Sequence, residues 1–206
     1  MENNRASQAE SELTLSYGNE LTSLVLASAS PRRAEILRAV GWPFEAQPPD
    51  VDESLRPGES APDYVQRLAL TKAEAIAATR LFGLVLGADT VVVADDVILG
   101  KPHDEEDARL MLRRLSGKWH EVLTGVALVC AEDKRCRVAY EQTHVRFGVM
   151  SEREIEGYVA TGEPLDKAGA YAVQGGAALF IEAIDGDYWN VVGLPVRSVY
   201  KLARGF

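Results

Sequence analysis

From Leu24 onward, apolar positions switch between short continuous runs and helical spacing, the pattern of strands alternating with helices. Leu24–Ala27 reads as a buried strand and Pro31–Val40 as a helix, with Gly41 as the residue that ends it. A proline- and acid-rich loop, Gln47–Glu59, leads to a second helix whose start is marked by Ser60 and Asp63 at capping spacing. Tyr64, Val65, Leu68, Ala69, Ala75 and Ile76 give that helix an apolar stripe. Leu84-Val85-Leu86, a turn at Gly87-Ala88-Asp89-Thr90 and Val91-Val92-Val93 come next, and an Asp95-Asp96 turn folds the chain back into Val97–Leu99. A third helix covers roughly Asp104–Leu115. Strands are expected near Glu121–Thr124, Val126–Val129, Arg137–Tyr140 and Thr143–Val149, followed by a short helix from Ser151, boxed by Glu154, to about Ala160. Strand Ala178–Ile184, the turn Asp185-Gly186, strand Tyr188–Val192 and a helix from Pro195 close the pattern. Ahead of it, Met1 to about Glu20 is polar and without period, and reads as a mobile extension. No repeat or low-complexity linker divides residues 21–206, so one α/β domain is expected.

The first strand–helix junction carries the sharpest chemical signal. Ser30 reads as the N-cap and Pro31 as the first helical residue, which puts Arg32 and Arg33 in the first turn, at the positive end of the helix dipole. An anion there would meet free backbone N–H groups, the hydroxyls of Ser28 and Ser30 and two guanidinium groups. The competing reading leaves both arginines in solvent, at a cost of only about 0.3–1 kcal/mol each.

A formal net charge of −9 argues against a general nucleic-acid or acidic-membrane partner, since polyanion binding rests on basic surface. A small anion in a local basic pocket stays open, and a divalent cation would help it bind. No apolar stretch reaches membrane-spanning length, and Cys130 and Cys136 match neither a redox pair nor a zinc spacing. A soluble cytoplasmic protein with free thiols is expected.

Several further residues have both a chemical and a structural reading. Asp89 can bind a metal or accept a proton from water, or it satisfies the N–H groups of its own turn. Lys101, in Gly100-Lys101-Pro102, neutralises a phosphate or is solvated; Lys72 interrupts the apolar half of its helix, to enter a cleft or to snorkel. Glu35 and the Asp52-Glu53 pair are the acids available to a cation, although Glu35 is equally a charge that balances the arginines. His120 has no partner at ligand spacing, so packing or a single hydrogen bond is the better reading. Asp166–Gly176 is rich in small residues that let backbone approach a flat ligand. Within it, Gln174 offers a donor and an acceptor, which complement the N3–H and O4 edge of uracil or thymine, or else bond to backbone.

Leu26–Leu37, Gly87-Ala88-Asp89-Thr90, Gly100-Lys101-Pro102, Leu115-Ser116-Gly117, Thr124-Gly125-Val126, Asp166–Gln174 and Gly193-Leu194-Pro195, in that order, resemble the Maf family of nucleoside triphosphate pyrophosphatases. The resemblance runs from Leu24 to the C-terminus, and the Asp166–Gln174 stretch is similar to the subgroup acting on dTTP and UTP. It implies an elongated mixed β-sheet flanked by helices, with two lobes around a central cleft, of the Maf/Ham1-like and ITPase-like kind. It also implies Asp89 as proton acceptor, with Arg32, Thr90 and Gln174 shaping substrate choice. A nucleoside triphosphate substrate, a divalent metal cation (Mg2+ or Mn2+) on Asp89, Glu35 or Glu53, and a homodimer complete the expectation. The alternative is a nucleotide-binding regulator of cell division and septum formation that does not turn its ligand over.

Overall fold

The apolar runs become the strands of one mixed sheet in the computed structural model, which describes residues 24–206. The extension expected over Met1–Glu20 lies outside the described residues. Strands β1 (Leu24–Ala27), β2 (Phe44–Ala46), β3 (Leu84–Ala94), β5 (Trp119–Cys130), β6 (Cys136–Phe147) and β7 (Ile181–Asp185) lie in the order β2-β1-β3-β5-β6-β7. Strand β4 (Val97–Leu99) pairs with the far end of β3. Among the described residues, only the β1–β2 and β1–β3 pairings are parallel.

Alternation along the strands assigns each helix to a face. Val25, Ala27, Val85, Ala127 and Val129 turn to one side and are covered by α2 (Ala61–Ala77). Leu24, Leu26, Leu84, Leu86 and Leu128 turn to the other, under α1 (Pro31–Ala39), α5 (Tyr188–Val192) and α6 (Val196–Ala203). Further along that second face, Val92, Val122 and Val145 pack under α3 (Glu105–Leu115) and α4 (Glu152–Val159). Two helical groups thus share one face and leave a cleft between them.

Helix α2 lies against the sheet with almost nothing in between. Ala69, Ala73 and Ala77, four residues apart, face the strands and are buried. Opposite them stand two glycines. A Cβ on Gly87 would sit 2.0 Å from the Ala69 carbonyl oxygen, and one on Gly125 would sit 2.1 Å from that of Val65. Glycine at both positions is therefore a condition of this close packing, not a turn signal.

That explains the main departure from the sequence reading. Gly87-Ala88-Asp89-Thr90 is no turn but the middle of an unbroken strand, with Asp89 paired to Gly125 and Thr90 to Thr124. Likewise β5 and β6 each run unbroken where two strands were expected. Tyr188–Val192 is a helix instead of a strand: the Asp187 carboxylate caps the Trp189 N–H at 2.8 Å, and Asn190 turns inward to donate to the Val122 carbonyl and the Thr143 hydroxyl. Strand β7 starts only at Ile181, after a 3-10 turn at Gly176–Leu179, and β2 carried too short an apolar run to be anticipated. The α1, α2 and α3 positions, the Ser151–Glu154 capping box and the Asp95-Asp96 hairpin turn, both residues at positive φ, agree with the sequence. Both cysteines are free thiols, and no described helix is long and apolar enough to cross a membrane.

Gly125→Ala should lower folding stability by about 3 kcal/mol, because its methyl group meets backbone that cannot turn aside. Chemical denaturation checks this; an unchanged midpoint would mean that α2 does not rest on the sheet at this point.

Candidate active site

Strand β1 ends at Ala27, opposite Gly87, and β4 takes up pairing with β3 only at Val92. Between those points, Ala88–Val91 have β5 on one side and no strand on the other. Chain leaving β1 turns into α1 at this gap, the kind of strand switch point where α/β sheets form ligand crevices. The cleft here has a volume of about 980 Å³, at the upper end of small-molecule sites.

Asp89 and Thr90 are neighbours on β3, so their side chains leave opposite faces of the sheet. Asp89 turns toward α2, where the Lys72 ammonium donates to its Oδ1 at 2.7 Å. Both residues are buried. The same Nζ lies 2.7 Å from Glu53 Oε1, which comes from the loop before α2 and is half exposed. Two carboxylates thus converge on one cation. Burial raises the Asp89 pKa, while Lys72 and Arg33 pull it down against that trend. The loop carrying Glu53 is itself tied to α2: Tyr64 Oη donates to the Glu53 carbonyl at 2.8 Å, and Arg67 donates to the Ser54 carbonyl and to Glu59.

On the other face, Thr90 meets Arg33. Arg33 donates from Nε to the Gly193 carbonyl at 2.9 Å, from Nη1 to Ser28 Oγ at 3.1 Å and from Nη2 to Thr90 Oγ1 at 3.2 Å. The guanidinium expected to be free for an anion therefore spends three of its five N–H bonds on the protein. Burial lowers its pKa, and the nearby Asp89 charge opposes that shift. Ser28 Oγ also accepts from the Ser30 N–H at 3.1 Å, which leaves its own hydroxyl hydrogen to donate. Ser30 has N-cap backbone geometry, but its side chain makes no capping bond, and the first turn of α1 holds no acid. The N–H groups at that helix start stay available to an anion.

Arg32 is half-buried and 3.8 Å from Asp166, a residue to which the sequence gave no partner. Lys101 and Gln174 are exposed and line the same cleft as Ser28, Ser30, Arg32, Arg33, Glu53, Lys72, Asp89 and Thr90. The Gly169 N–H donates to the Gly100 carbonyl at 3.0 Å, tying the Lys101 turn to the Asp166–Gln174 segment. Glu35 stands apart. It lies one turn further along α1 than the arginines, is exposed and does not line the cleft, because the inward positions of that helix are filled by Ala34, Ile36 and Leu37.

As a cation site, the donor set is therefore Asp89 and Glu53, without Glu35 and without Asp52, whose carboxylate accepts from the Ser54 N–H and hydroxyl. No three His, Cys, Asp or Glu side chains gather around one point among the described residues. Two converging carboxylates, with water and phosphate oxygens for the rest, suit magnesium or manganese. Lys72 Nζ already takes one oxygen of each carboxylate, Asp89 Oδ1 and Glu53 Oε1, so a divalent cation would be held by their other oxygens.

Sequence reasoning missed the pair behind the cleft wall. Tyr171, which lines the cleft, shares a 2.8 Å hydrogen bond with His120 Nε2, and both rings pack edge-on against Phe147. His120 thus packs and makes a single hydrogen bond, as its lack of ligand-spaced partners suggested; its Nδ1 is buried without a partner. Burial lowers its pKa from 6.5 to about 4. In that window the unfolded chain binds a proton that the folded chain does not, so stability falls as pH falls. Moving from about pH 7.5 to about pH 5 should cost roughly 2 kcal/mol through this residue, and His120→Asn should lose that much less over the same interval. Equal losses in both proteins would show that His120 is not held neutral.

Residues 23–206 match the family described as Maf-like protein. A dTTP/UTP pyrophosphatase of Symbiobacterium thermophilum is 51% identical over 90% of this chain and 95% of its own length. One from Hahella chejuensis is 53% identical over 89% of this chain and 92% of its own length. Among solved structures, the Ham1 protein of Staphylococcus aureus superposes with a TM-score of 0.51, covering 89% of this chain and 98% of that one, at 13% identity. That last likeness is one of fold.

Proposed function

The chain belongs to the Maf family, and from that premise we propose that it hydrolyses dTTP and UTP to the nucleoside monophosphate and pyrophosphate. One observation carries the reading beyond its relatives' names: a buried carboxylate, Asp89, held on an ammonium in a cleft lined by Arg32, Arg33 and Lys101. A carboxylate whose pKa is raised by burial is a better proton acceptor than an exposed one. Asp89 takes a proton from the attacking water as its oxygen bonds to the α phosphorus. The bridging oxygen then leaves with the β phosphorus as pyrophosphate.

The cationic groups act on the charge that accumulates during that step. Lys72 holds the carboxylate in place, and Arg33, fixed by Ser28, Thr90 and Gly193, presents a positive charge that does not have to reorganise. Ser28, Ser30 and the start of α1 receive phosphate oxygens, while Arg32 and Lys101 close over them from the rim. Asp89 and Glu53 would hold the divalent cation, which when bound supplies further positive charge against the triphosphate. Gln174 pairs with O4 and N3–H of the base. Thymine and uracil present that edge alike, which accounts for a preference shared by dTTP and UTP.

The proposal includes a cytoplasmic location, where nucleoside triphosphates are made, and a homodimer; neither enters the chemistry. A regulator of septum formation that binds without turnover is not favoured, since the relatives are named as pyrophosphatases.

Pyrophosphate release from a panel of nucleoside triphosphates, with magnesium or manganese and with the metal chelated, tests the reading. Turnover should favour dTTP and UTP and vanish on chelation. Asp89→Asn should lower kcat at least 1,000-fold, roughly the scale of losing a general base, with nucleotide binding retained. Wild-type turnover by that variant would remove Asp89 from the reaction.

A further inference from the structure

The double glycine that follows Gln174 is unexplained by the chemistry above. Gln174 sits in a tight turn in which the Gly175 N–H donates to the Ala172 carbonyl at 3.0 Å. The amide groups two residues to either side of it lead to the same place. On one side the Ala172 N–H donates to Tyr158 Oη at 3.1 Å. On the other the Gly176 N–H donates to the Glu163 carboxylate, 3.1 Å from Oε1 and 3.2 Å from Oε2. Tyr158 Oη in turn donates to Glu163 Oε1 at 2.6 Å.

Both glycines are shaped by this pair. A Cβ on Gly175 would lie 2.3 Å from the Glu163 carboxylate oxygens, and one on Gly176 would lie 3.2 Å from the Tyr158 ring. The carboxylate cannot step aside without giving up its bonds to Tyr158 and Gly176. Tyr158 cannot do so either, since it is buried on α4 beside Ile155 and Val159 in the core beneath α3. Burial, together with Glu163, keeps its hydroxyl pKa above the ordinary tyrosine value, so it stays a donor at any working pH.

We propose that Tyr158 and Glu163 are positioning residues for nucleotide selection. Tyr158 holds one end of the Gln174 turn directly to α4 and Glu163 holds the other end through its bond to Tyr158, and together they fix where the Gln174 carboxamide meets the base. The inference rests on the reading of Gln174 as the base contact. A flexible turn would still let a triphosphate bind through its phosphates, but the side chain would no longer separate one base edge from another. The clamp therefore governs selectivity and apparent affinity ahead of the chemical step.

The test compares dTTP with dCTP, two pyrimidine nucleotides whose bases present opposite donor and acceptor patterns at positions 3 and 4. In the full-length protein, Tyr158→Phe removes the donor to Glu163 and the acceptor for Ala172 while keeping the ring. Glu163→Ala removes the other half, Glu163→Gln keeps an acceptor oxygen, and Gly175→Ala drives a methyl group into the carboxylate. Tyr158→Phe, Glu163→Ala and Gly175→Ala should each narrow the dTTP to dCTP ratio of kcat/KM at least fivefold. KM for dTTP should rise more than kcat falls, and Glu163→Gln should restore most of the ratio. Gln174→Ala is the reference. If it narrows the ratio and the clamp variants, shown folded by their melting curves, do not, the clamp has no role in selection. If Gln174→Ala itself leaves the ratio unchanged, the base-contact reading is wrong and the proposal falls with it. A loss in kcat alone, equal for both nucleotides, would overturn the positioning role as well.

Discussion

The backbone contact between α2 and the sheet at Gly87 and Gly125 is the constraint on which the site depends. A helix normally stands off from a sheet because side chains from both fill the space between them. Here one side of the contact has no side chain and the other has alanine, so the helix backbone reaches the strands. Lys72 belongs to that same helix, and Asp89 to the strand under it. Their 2.7 Å bond follows from the approach of the two backbones, not from flexible side chains finding each other. Because Tyr64 and Arg67 also lie on α2 and tie down the loop that bears Glu53, one helix sets the position of three charged groups.

Strand β3 distributes the chemistry. It is long enough to serve both helical groups, and the gap between β1 and β4 exposes its middle without breaking its pairing with β5. Adjacent residues on a strand point to opposite faces, so Asp89 joins the α2 side and Thr90 the Arg33 side of one cleft. Two separately stabilised polar clusters then meet at a ligand-sized space. Each pairs a buried charge with fixed partners, which is what burial of a charge requires.

Much of this was legible in the chain, and the parts that were not share a physical cause. Caps, proline and helical spacing located α1, α2 and α3 because these signals are local. The residues named for the cleft, from Ser28 to Gln174, do line it, apart from Glu35, whose helix turn faces solvent, and Asp52, whose carboxylate turns back to Ser54. Gly87-Ala88-Asp89-Thr90 reads as a turn because glycine and aspartate are turn formers when nothing else acts on them; here the backbone of Ala69 and Ala73 on α2 required the glycine. Tyr188–Val192 was misread as a strand for the converse reason, its β-branched and aromatic residues being overruled by a cap at Asp187 and a buried Asn190. Partners distant in sequence, such as His120 with Tyr171 or Glu163 with Gly176, leave no periodic trace. The paired glycines at 175 and 176 were the one available hint of the latter.

The most direct measurement is the pH dependence of kcat/KM for dTTP in the wild-type protein and in Lys72→Met, since that quantity reports ionisation in the free enzyme. Asp89 must be ionised to accept a proton, and burial raises its pKa while Lys72 lowers it. The wild-type acid limb should therefore fall above the ordinary aspartate value of 3.8, and the variant's limb should lie higher still. An acid limb that stays at the same pH when the lysine is removed would contradict the account, because the carboxylate controlling the reaction would then not be the one held on α2.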